Sequence, residues 1–225
     1  MTISFTCQTE LINSILLSGG NLIARNRLKT TSVSLKFQRT SDYSSLISLL
    51  EIQLKKYKYK TSTSTVRKNR DSTVLYVNVD ERLKEIYDKW YKITGISNSG
   101  IVVLNYKKIP DDINICHNTL AIWYAASGNP HIIKWNTKSQ KKSKLCGGNL
   151  YYPGGSLDDG NLLIDKLKQL NLKAKCKLAH KNGKYGDYYY LNMDLDNFTN
   201  CVDLIKPKLT KALAFKLNIN AMSTI

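Results

Sequence analysis

A stretch near the middle of the chain, residues 120–128 (LAIWYAASG), most constrains how this sequence can fold. It is apolar, rich in small residues and ends at a glycine, which is typical of a buried helix that stops abruptly. A weaker copy, INSILLSGG, occupies residues 12–20. Each copy passes from its final glycine into an extended segment, through Asn21 in one case and Asn129 in the other. Two matching helix-to-strand joints indicate a duplicated unit.

The large positive net charge of the chain indicates what kind of molecule it binds. The 225 residues carry 34 Lys and Arg against 17 Asp and Glu, which gives a formal net charge of +17. Residues 1–110 hold 18 basic and 8 acidic residues (+10), and residues 111–225 hold 16 and 9 (+7), so both halves are basic. Charge of one sign repels itself unless an anionic partner neutralises it. We therefore expect a nucleic acid as the partner.

The cysteines and the apolar runs exclude other classes. Five cysteines, an odd number with no CxxC pair, predict free thiols in a reducing compartment rather than a disulfide framework or a zinc site. No run approaches the roughly 18 apolar residues of a membrane span, so no membrane association is expected. Residues 1–7 carry no signal-like or import-like segment.

The hydrophobic periodicity predicts two successive sets of helices and strands. In the first half it predicts a helix, two strands, a helix, a Ser/Thr-rich basic loop, a strand and a helix, at residues 6–18, 21–27, 31–39, 41–54, 61–70, 73–79 and 80–93. In the second half it predicts helices at 120–128, 157–170, 196–205 and 210–216, and strands at 131–135, 145–152, 173–178 and 188–193. The predicted halves are residues 1–94 and 115–225, joined by a linker at 95–114.

The two joints resemble the twin LAGLIDADG helices of two-repeat homing endonucleases. Other segments typical of that family extend the resemblance over nearly the whole chain, at residues 8–12, 162–167, 190–191, 204–207 and 216–217. The resemblance implies an α+β fold of two pseudo-symmetric αββαββα repeats. It also implies that their antiparallel sheets form a saddle over a nucleic acid, and that the protein is a monomer.

The catalytic positions of that family are altered in this chain. In the family, the residue before the final glycine of each motif is an acid that holds the catalytic metal, and the metal activates water. Here these positions are Gly19 and Ser127. We therefore expect no catalytic residues, no bound metal, no cofactor and a protein that is not an enzyme. The pair Asp158-Asp159, after Ser156, indicates a helix start rather than a metal site.

Basic residues on strands and hairpin turns are the candidate binding surface. Lysines two apart on a strand point to the same face, which suits contact with a phosphate backbone, and interleaved tyrosines can stack on unpaired bases. The candidate nucleic-acid-binding residues are Arg25, Arg27, Lys29, Lys36, Arg39, Lys58, Lys60, Arg67, Lys68, Arg70, Lys134, Lys138, Lys141, Lys142, Lys144, Lys173, Lys175, Lys177, Lys181 and Lys184.

These features lead to a ranked set of functions. The leading expectation is a catalytically inactive protein that binds structured RNA as part of an organellar ribonucleoprotein such as the mitochondrial ribosome, beside neighbouring ribosomal proteins. The alternatives are a group I intron maturase and a double-stranded DNA-binding homing endonuclease that is non-cleaving or residually active. Abundant Lys, Asn, Ile and Tyr indicates an AT-rich gene. Together with the resemblance, this composition predicts a mitochondrial protein, with a chloroplast the less favoured organelle.

Overall fold

The structure is a computed structural model that describes residues 3–27, 30–67, 71–93, 105–136, 141–183 and 186–208. The chain divides into an N-terminal unit (Phe5–Ile113) and a C-terminal unit (Met1–Ser4 with Asn114–Ile225). In the residues that the structure describes, each unit contains a four-stranded antiparallel sheet and three α-helices in the order αββαββα. The predicted α+β fold of two such repeats is therefore confirmed.

The N-terminal unit is built around a sheet of strand order β1-β2-β4-β3. A short 3-10 helix precedes its second α-helix, and a two-stranded ladder follows its third. Its elements are α1 (Gln8–Leu17), β1 (Asn21–Arg27), β2 (Thr30–Thr40), the 3-10 helix (Ser41–Tyr43), α2 (Ser44–Lys56), β3 (Thr61–Val66), β4 (Ser72–Val77), α3 (Arg82–Trp90), β5 (Tyr91–Ile93) and β6 (Asn105–Lys107).

Alternation along β2 explains how this sheet packs. Val33, Leu35 and Phe37 are buried, whereas the residues between them are polar and partly accessible. Successive strand residues point to opposite faces, so one face of the sheet is apolar and the other polar. Helices α2 and α3 pack on the sheet, and their buried residues include Leu50 and Trp90.

The C-terminal unit repeats this arrangement with strand order β7-β8-β10-β9. All three of its α-helices contact the sheet. Its elements are α4 (His117–Ser127), β7 (Gly128–Asn136), β8 (Lys141–Leu150), α5 (Leu157–Lys168), β9 (Lys175–Gly183), β10 (Gly186–Asp194) and α6 (Leu195–Ile205).

Two local features of the C-terminal unit follow directly from its sequence. The Ser156 side chain accepts a hydrogen bond from the Asp159 backbone N–H at 3.1 Å, which confirms the predicted helix start at α5. Gly147 has φ +142°, and the ladder between β7 and β8 shifts register opposite it, so this glycine forms a bulge. A Cβ at Gly147 would lie 2.0 Å from the Met193 carbonyl oxygen, which leaves no room for a side chain.

Several predicted elements differ from the structure. The expected loop at 61–70 begins with β3, because Thr61–Val66 pairs in continuous register with β4. Helix α3 ends at Trp90 rather than at residue 93, since β5 pairs with β6. Residues 105–113, in the predicted linker, pack in the N-terminal unit. The short helix predicted at 210–216 lies outside the described residues. Among the described helices, none is long and apolar enough to span a membrane.

A glycine in β8 offers a test of the packing between sheet and helix. A Cβ at Gly148 would lie 2.1 Å from Cδ2 of Phe198 on α6. We predict that Gly148→Ala lowers the free energy of unfolding by roughly 1–3 kcal/mol, because a filled core resists added volume. Strand propensity alone would favour alanine, so the sign of the change is informative. Urea unfolding measures it, with Ser64→Ala on the exposed strand β3 as a control that leaves stability nearly unchanged.

Candidate nucleic-acid interface

The polar face of the N-terminal sheet carries hydroxyl, amide and basic side chains. Strand register aligns Asn21 with Lys36, Lys36 with Tyr76, and Tyr76 with Ser62, which makes one row across all four strands. The Lys36 ammonium lies 5.9 Å from the centroid of the Tyr76 ring. Gln38, two residues along β2, is exposed on the same face. This surface, the N-terminal open face, can donate hydrogen bonds to phosphates or base edges.

The corresponding face of the C-terminal sheet is richer in amides. Register aligns Asn129, Asn149, Asn192 and Lys175 in one row across its four strands. Lys177 lies two residues from Lys175 on β9, and both are exposed. Their shared face agrees with the predicted alternation of lysines along this strand. We call this surface the C-terminal open face.

Aromatic side chains also reach the C-terminal open face. Tyr190 pairs in register with Lys177, and its ring stacks on Tyr151 with 5.4 Å between the centroids. Both tyrosines are half-buried. A neighbouring tyrosine, Tyr188, is instead used in packing, since its hydroxyl donates to the Tyr152 carbonyl at 3.1 Å.

The predicted basic residues fall at several kinds of position. Lys36, Lys144, Lys175 and Lys177 lie on the two open faces. Four other basic residues are exposed in turns or beside strand ends, and their contact with nucleic acid stays a prediction. These residues are Lys58, Lys60, Arg67 and Lys173.

Other candidates are placed only by their backbone or lie outside the described residues. Those whose backbone belongs to β1, β7, β8 or β9 are Arg25, Arg27, Lys134, Lys141, Lys142 and Lys181. Those outside the described residues are Lys29, Lys68, Arg70, Lys138 and Lys184.

Arg39 has a different orientation from the one expected. It lies on the same side of β2 as the buried Phe37, and its guanidinium carbon is 4.7 Å from the centroid of that ring. The side chain points toward the carboxyl end of α1, where Nη2 donates to the Ser18 carbonyl. Burial lowers the pKa of Arg39 from its ordinary value. Arg39 therefore lies on the apolar side of β2 rather than on the N-terminal open face, and its predicted contact with nucleic acid stays a prediction.

A second cation joins Arg39 at the end of α1. The Lys107 ammonium donates to the Leu16 carbonyl at 2.7 Å and to the Gly20 carbonyl. The last carbonyls of a helix have no partner within the helix and carry the negative end of its dipole. The Leu16 carbonyl also accepts from the Gly19 backbone N–H at 3.1 Å, so Lys107 and Arg39 add to the backbone hydrogen bonds at this end of the helix. Sequence reasoning missed Lys107 because it lies in the predicted linker, and no local pattern marks it.

The surroundings of Lys107 change its protonation. Its ammonium lies 5.3 Å from the centroid of the Trp90 ring, and Trp90 Nε1 donates to Asn13 Oδ1 on α1 at 2.8 Å. Burial, with a smaller contribution from the nearby Arg39 charge, lowers the pKa of Lys107 to about 7. The lysine therefore titrates near neutral pH.

The two motif ends have different backbone geometry. Gly19 has φ +92°, and a Cβ there would lie 2.8 Å from Arg39 Nη2. In the C-terminal unit α4 continues to Ser127 and passes straight into β7 at Gly128, where φ is −85°. A polar cavity of about 520 Å³ adjoins the first end and is lined by Gly19, Asn21, Lys36, Gln38, Arg39, Thr40 and Ser72.

Comparison with known families decides the relationship. The sequence profile of the LAGLIDADG DNA endonuclease family matches residues 9–200. The chain belongs to this family. A search of curated protein sequences found no match.

Solved structures agree with the LAGLIDADG fold. The homing endonuclease I-WcaI bound to its DNA recognition sequence is 16% identical, with a TM-score of 0.59 and coverage of 96% of this chain and 88% of that one. I-SmaMI bound to an uncleaved DNA target with calcium ions is 11% identical, with a TM-score of 0.56 and coverage of 97% and 95%. I-DmoI in complex with DNA and Mn is 12% identical, with a TM-score of 0.51 and coverage of 90% and 97%.

The motif ends of this chain lack the carboxylate ligands that the LAGLIDADG family uses to hold a metal ion. Among the described residues, no group of three His, Cys, Asp or Glu side chains is placed to hold a metal ion. Gly19 provides no side-chain oxygen, and Ser127 provides a hydroxyl where Mg²⁺ prefers a carboxylate. These two side chains by themselves do not fit a divalent ion.

The prediction that the chain is not an enzyme is wrong. It rested on the identities of Gly19 and Ser127 alone. The matching family is a family of DNA endonucleases, and the similar solved structures are homing endonucleases, including one in complex with DNA and Mn. Two altered side chains are therefore not sufficient to exclude an enzymatic function.

The titration of Lys107 gives the first prediction for this region. Its pKa is lowered from 10.5 in the unfolded chain to about 7 in the folded one, so between these values the unfolded chain binds more protons. The contribution of Lys107 to the free energy of unfolding should therefore rise with pH from about 7 toward 10.5, by at most about 1.4 kcal/mol per pH unit. We predict that Lys107→Met removes this rise. Urea unfolding at a series of pH values measures it, with Lys84→Met as the exposed control; equal slopes in all three proteins would contradict the assignment.

The backbone difference between the motif ends gives a second prediction. Gly19→Ala should lower the free energy of unfolding by about 1–3 kcal/mol, because alanine is strained at a positive φ. Ser127→Ala should cost less, since alanine is the best helix former and α4 is helical at this position. Thermal unfolding of both variants compares them directly, and a larger loss for Ser127→Ala would refute this account of the two ends.

Proposed function

We propose that this chain binds double-stranded DNA on the open faces of its two sheets, in the manner of a homing endonuclease. The observation that carries the proposal is the one-sided packing of each sheet. Helices cover the apolar face, and the other face presents lysine, amide and hydroxyl side chains in rows across the strands.

Charge supports a polyanionic ligand. The net charge of +17 is spread over both halves of the sequence. Lys36 lies on one open face, and Lys144, Lys175 and Lys177 lie on the other. Neutralisation of phosphates by such lysines releases counterions and gives sequence-independent affinity, while amide and hydroxyl groups between them can contact base edges.

The comparisons support DNA as the nucleic acid. The similar solved structures include I-WcaI bound to its DNA recognition sequence and I-SmaMI bound to an uncleaved DNA target. The shared fold offers a sheet face of the same kind in this chain. A β-sheet surface of this type can enter the major groove, where each base pair has a distinct pattern of donors and acceptors.

Structured RNA is the second candidate, and one observation favours it. The stacked pair Tyr151 and Tyr190 lies on the C-terminal open face, and exposed aromatic rings stack on unpaired bases of RNA loops. A ribosomal RNA in a mitochondrial ribonucleoprotein, with ribosomal proteins as neighbours, and a group I intron are the RNA ligands proposed from the sequence. A mitochondrial location belongs with these proposals.

A competition experiment tests the choice of ligand. Fluorescence anisotropy with the full chain compares duplex DNA drawn from a randomised library with folded RNA of equal phosphate number, at matched ionic strength. We predict tighter binding to a selected duplex than to the RNA. Preference for the RNA would replace the proposal by the second candidate. Incubation of the selected duplex with Mg²⁺ or Mn²⁺ reports strand cleavage in the same assay.

Charge removal tests the proposed surface. Lys175→Ala with Lys177→Ala should weaken duplex binding and reduce the steepness of its salt dependence by about 1–2 in log–log slope, because each phosphate contact contributes about 0.9. The matched control is Lys166→Ala with Lys168→Ala on helix α5, which removes the same charge away from the open face. Equal losses in the two double variants would contradict the assignment of the binding face.

A further inference from the structure

The amide row of the C-terminal open face is unusual for a β-sheet. Asn129, Asn149 and Asn192 lie in register on three adjacent strands, and exposed Lys175 completes the row on the fourth. Asparagine is depleted in strands because its short polar side chain competes with the backbone for hydrogen bonds. Three of them in one row are therefore poorly explained by sheet stability alone.

The side-chain amides of two of these asparagines form a hydrogen bond with each other. Asn192 Nδ2 donates to Asn149 Oδ1 at 2.8 Å. This bond fixes how the remaining polar atoms are presented. On this face of the sheet the pair leaves an acceptor, Asn192 Oδ1, and a donor, Asn149 Nδ2, and Asn129 stands exposed next to the pair on β7.

One base edge fits this arrangement best. In the major groove adenine presents a donor, its N6 amino group, beside an acceptor, N7. Guanine presents two acceptors, O6 and N7, and would place one of them against Asn192 Oδ1. We propose that Asn149 and Asn192 together recognise adenine in the major groove and determine sequence specificity there. This inference rests on the proposed binding of duplex DNA.

The N-terminal open face supplies a natural comparison. Its corresponding row runs through Asn21, Lys36, Tyr76 and Ser62, so Lys36 occupies the place that Asn149 has in the other sheet. A lysine only donates hydrogen bonds, which suits the two acceptors of guanine. The two rows therefore specify different bases, and the adenine preference belongs to the C-terminal unit.

Selection followed by base substitution tests the inference. The full chain is used to select duplexes from a randomised library, and the affinity for the best duplex is measured after replacing each adenine in turn by 7-deaza-adenine, which lacks the N7 acceptor. We expect one position where this replacement weakens binding of the native chain roughly 5- to 150-fold. In Asn149→Ala with Asn192→Ala, the same replacement should have no effect, and other bases should be accepted there. Lys166→Ala, on helix α5 away from the open face, keeps the native preference.

A second variant tests the inference through a change of base preference, which a general loss of DNA affinity cannot produce. Asn149→Lys with Asn192→Tyr copies Lys36 and Tyr76 of the N-terminal row and should change the preferred base at that position from adenine to guanine. Retention of adenine by this variant, or an unchanged response of the double alanine variant to 7-deaza-adenine, overturns the inference while duplex binding stands. Failure of the native chain to bind any duplex overturns both the inference and the proposed function.

Discussion

The one-sided apolar pattern of the strands is the constraint on which the rest of this structure depends. In β2, the buried Val33, Leu35 and Phe37 alternate with polar residues, and burial of these side chains against helices stabilises the sheet. A shift of the pairing by one residue would exchange the two faces, so the same burial also fixes which side chains face outward. Folding and the presentation of Lys36, or of Asn149 in the other unit, thus have a single physical cause.

At the carboxyl end of α1, basic side chains of the same unit donate hydrogen bonds to backbone carbonyls of the LAGLIDADG motif. Arg39 and Lys107 donate to carbonyls at this end, and burial brings the pKa of Lys107 to about 7. The positive φ of Gly19 turns the chain sharply here before β1 begins. The end of α4 has no such turn, since the helix passes directly into β7. Two repeats of one fold have therefore acquired different local chemistry at corresponding positions.

Local patterns in the sequence predict most of the helices and strands of the two repeats. The motif helices, the alternating strand β2 and the Ser156 helix start all depend on residues close in sequence, which is why they could be recognised. The strand β3 was missed because its Ser and Thr residues resemble a loop when read without the partner strand.

Features that depend on distant residues could not be predicted in this way. Lys107 and Leu16 are 91 positions apart in the sequence, and no pattern around either residue predicts their contact. The row of asparagines exists only because strand register, including the bulge at Gly147, brings Asn129, Asn149 and Asn192 side by side. The altered motif residues Gly19 and Ser127 suggested a protein that is not an enzyme, and the family match corrected that conclusion.

Chemical labelling of lysines, quantified by mass spectrometry with and without a bound selected DNA duplex, tests the central claim most directly. The account predicts that Lys36, Lys175 and Lys177 become protected when the duplex binds. Lys84 and Lys168, which lie on helices and pair with neighbouring acids, should label equally in both states. Protection of the helix lysines with continued labelling of the sheet lysines would show that the nucleic acid binds elsewhere and would contradict the account.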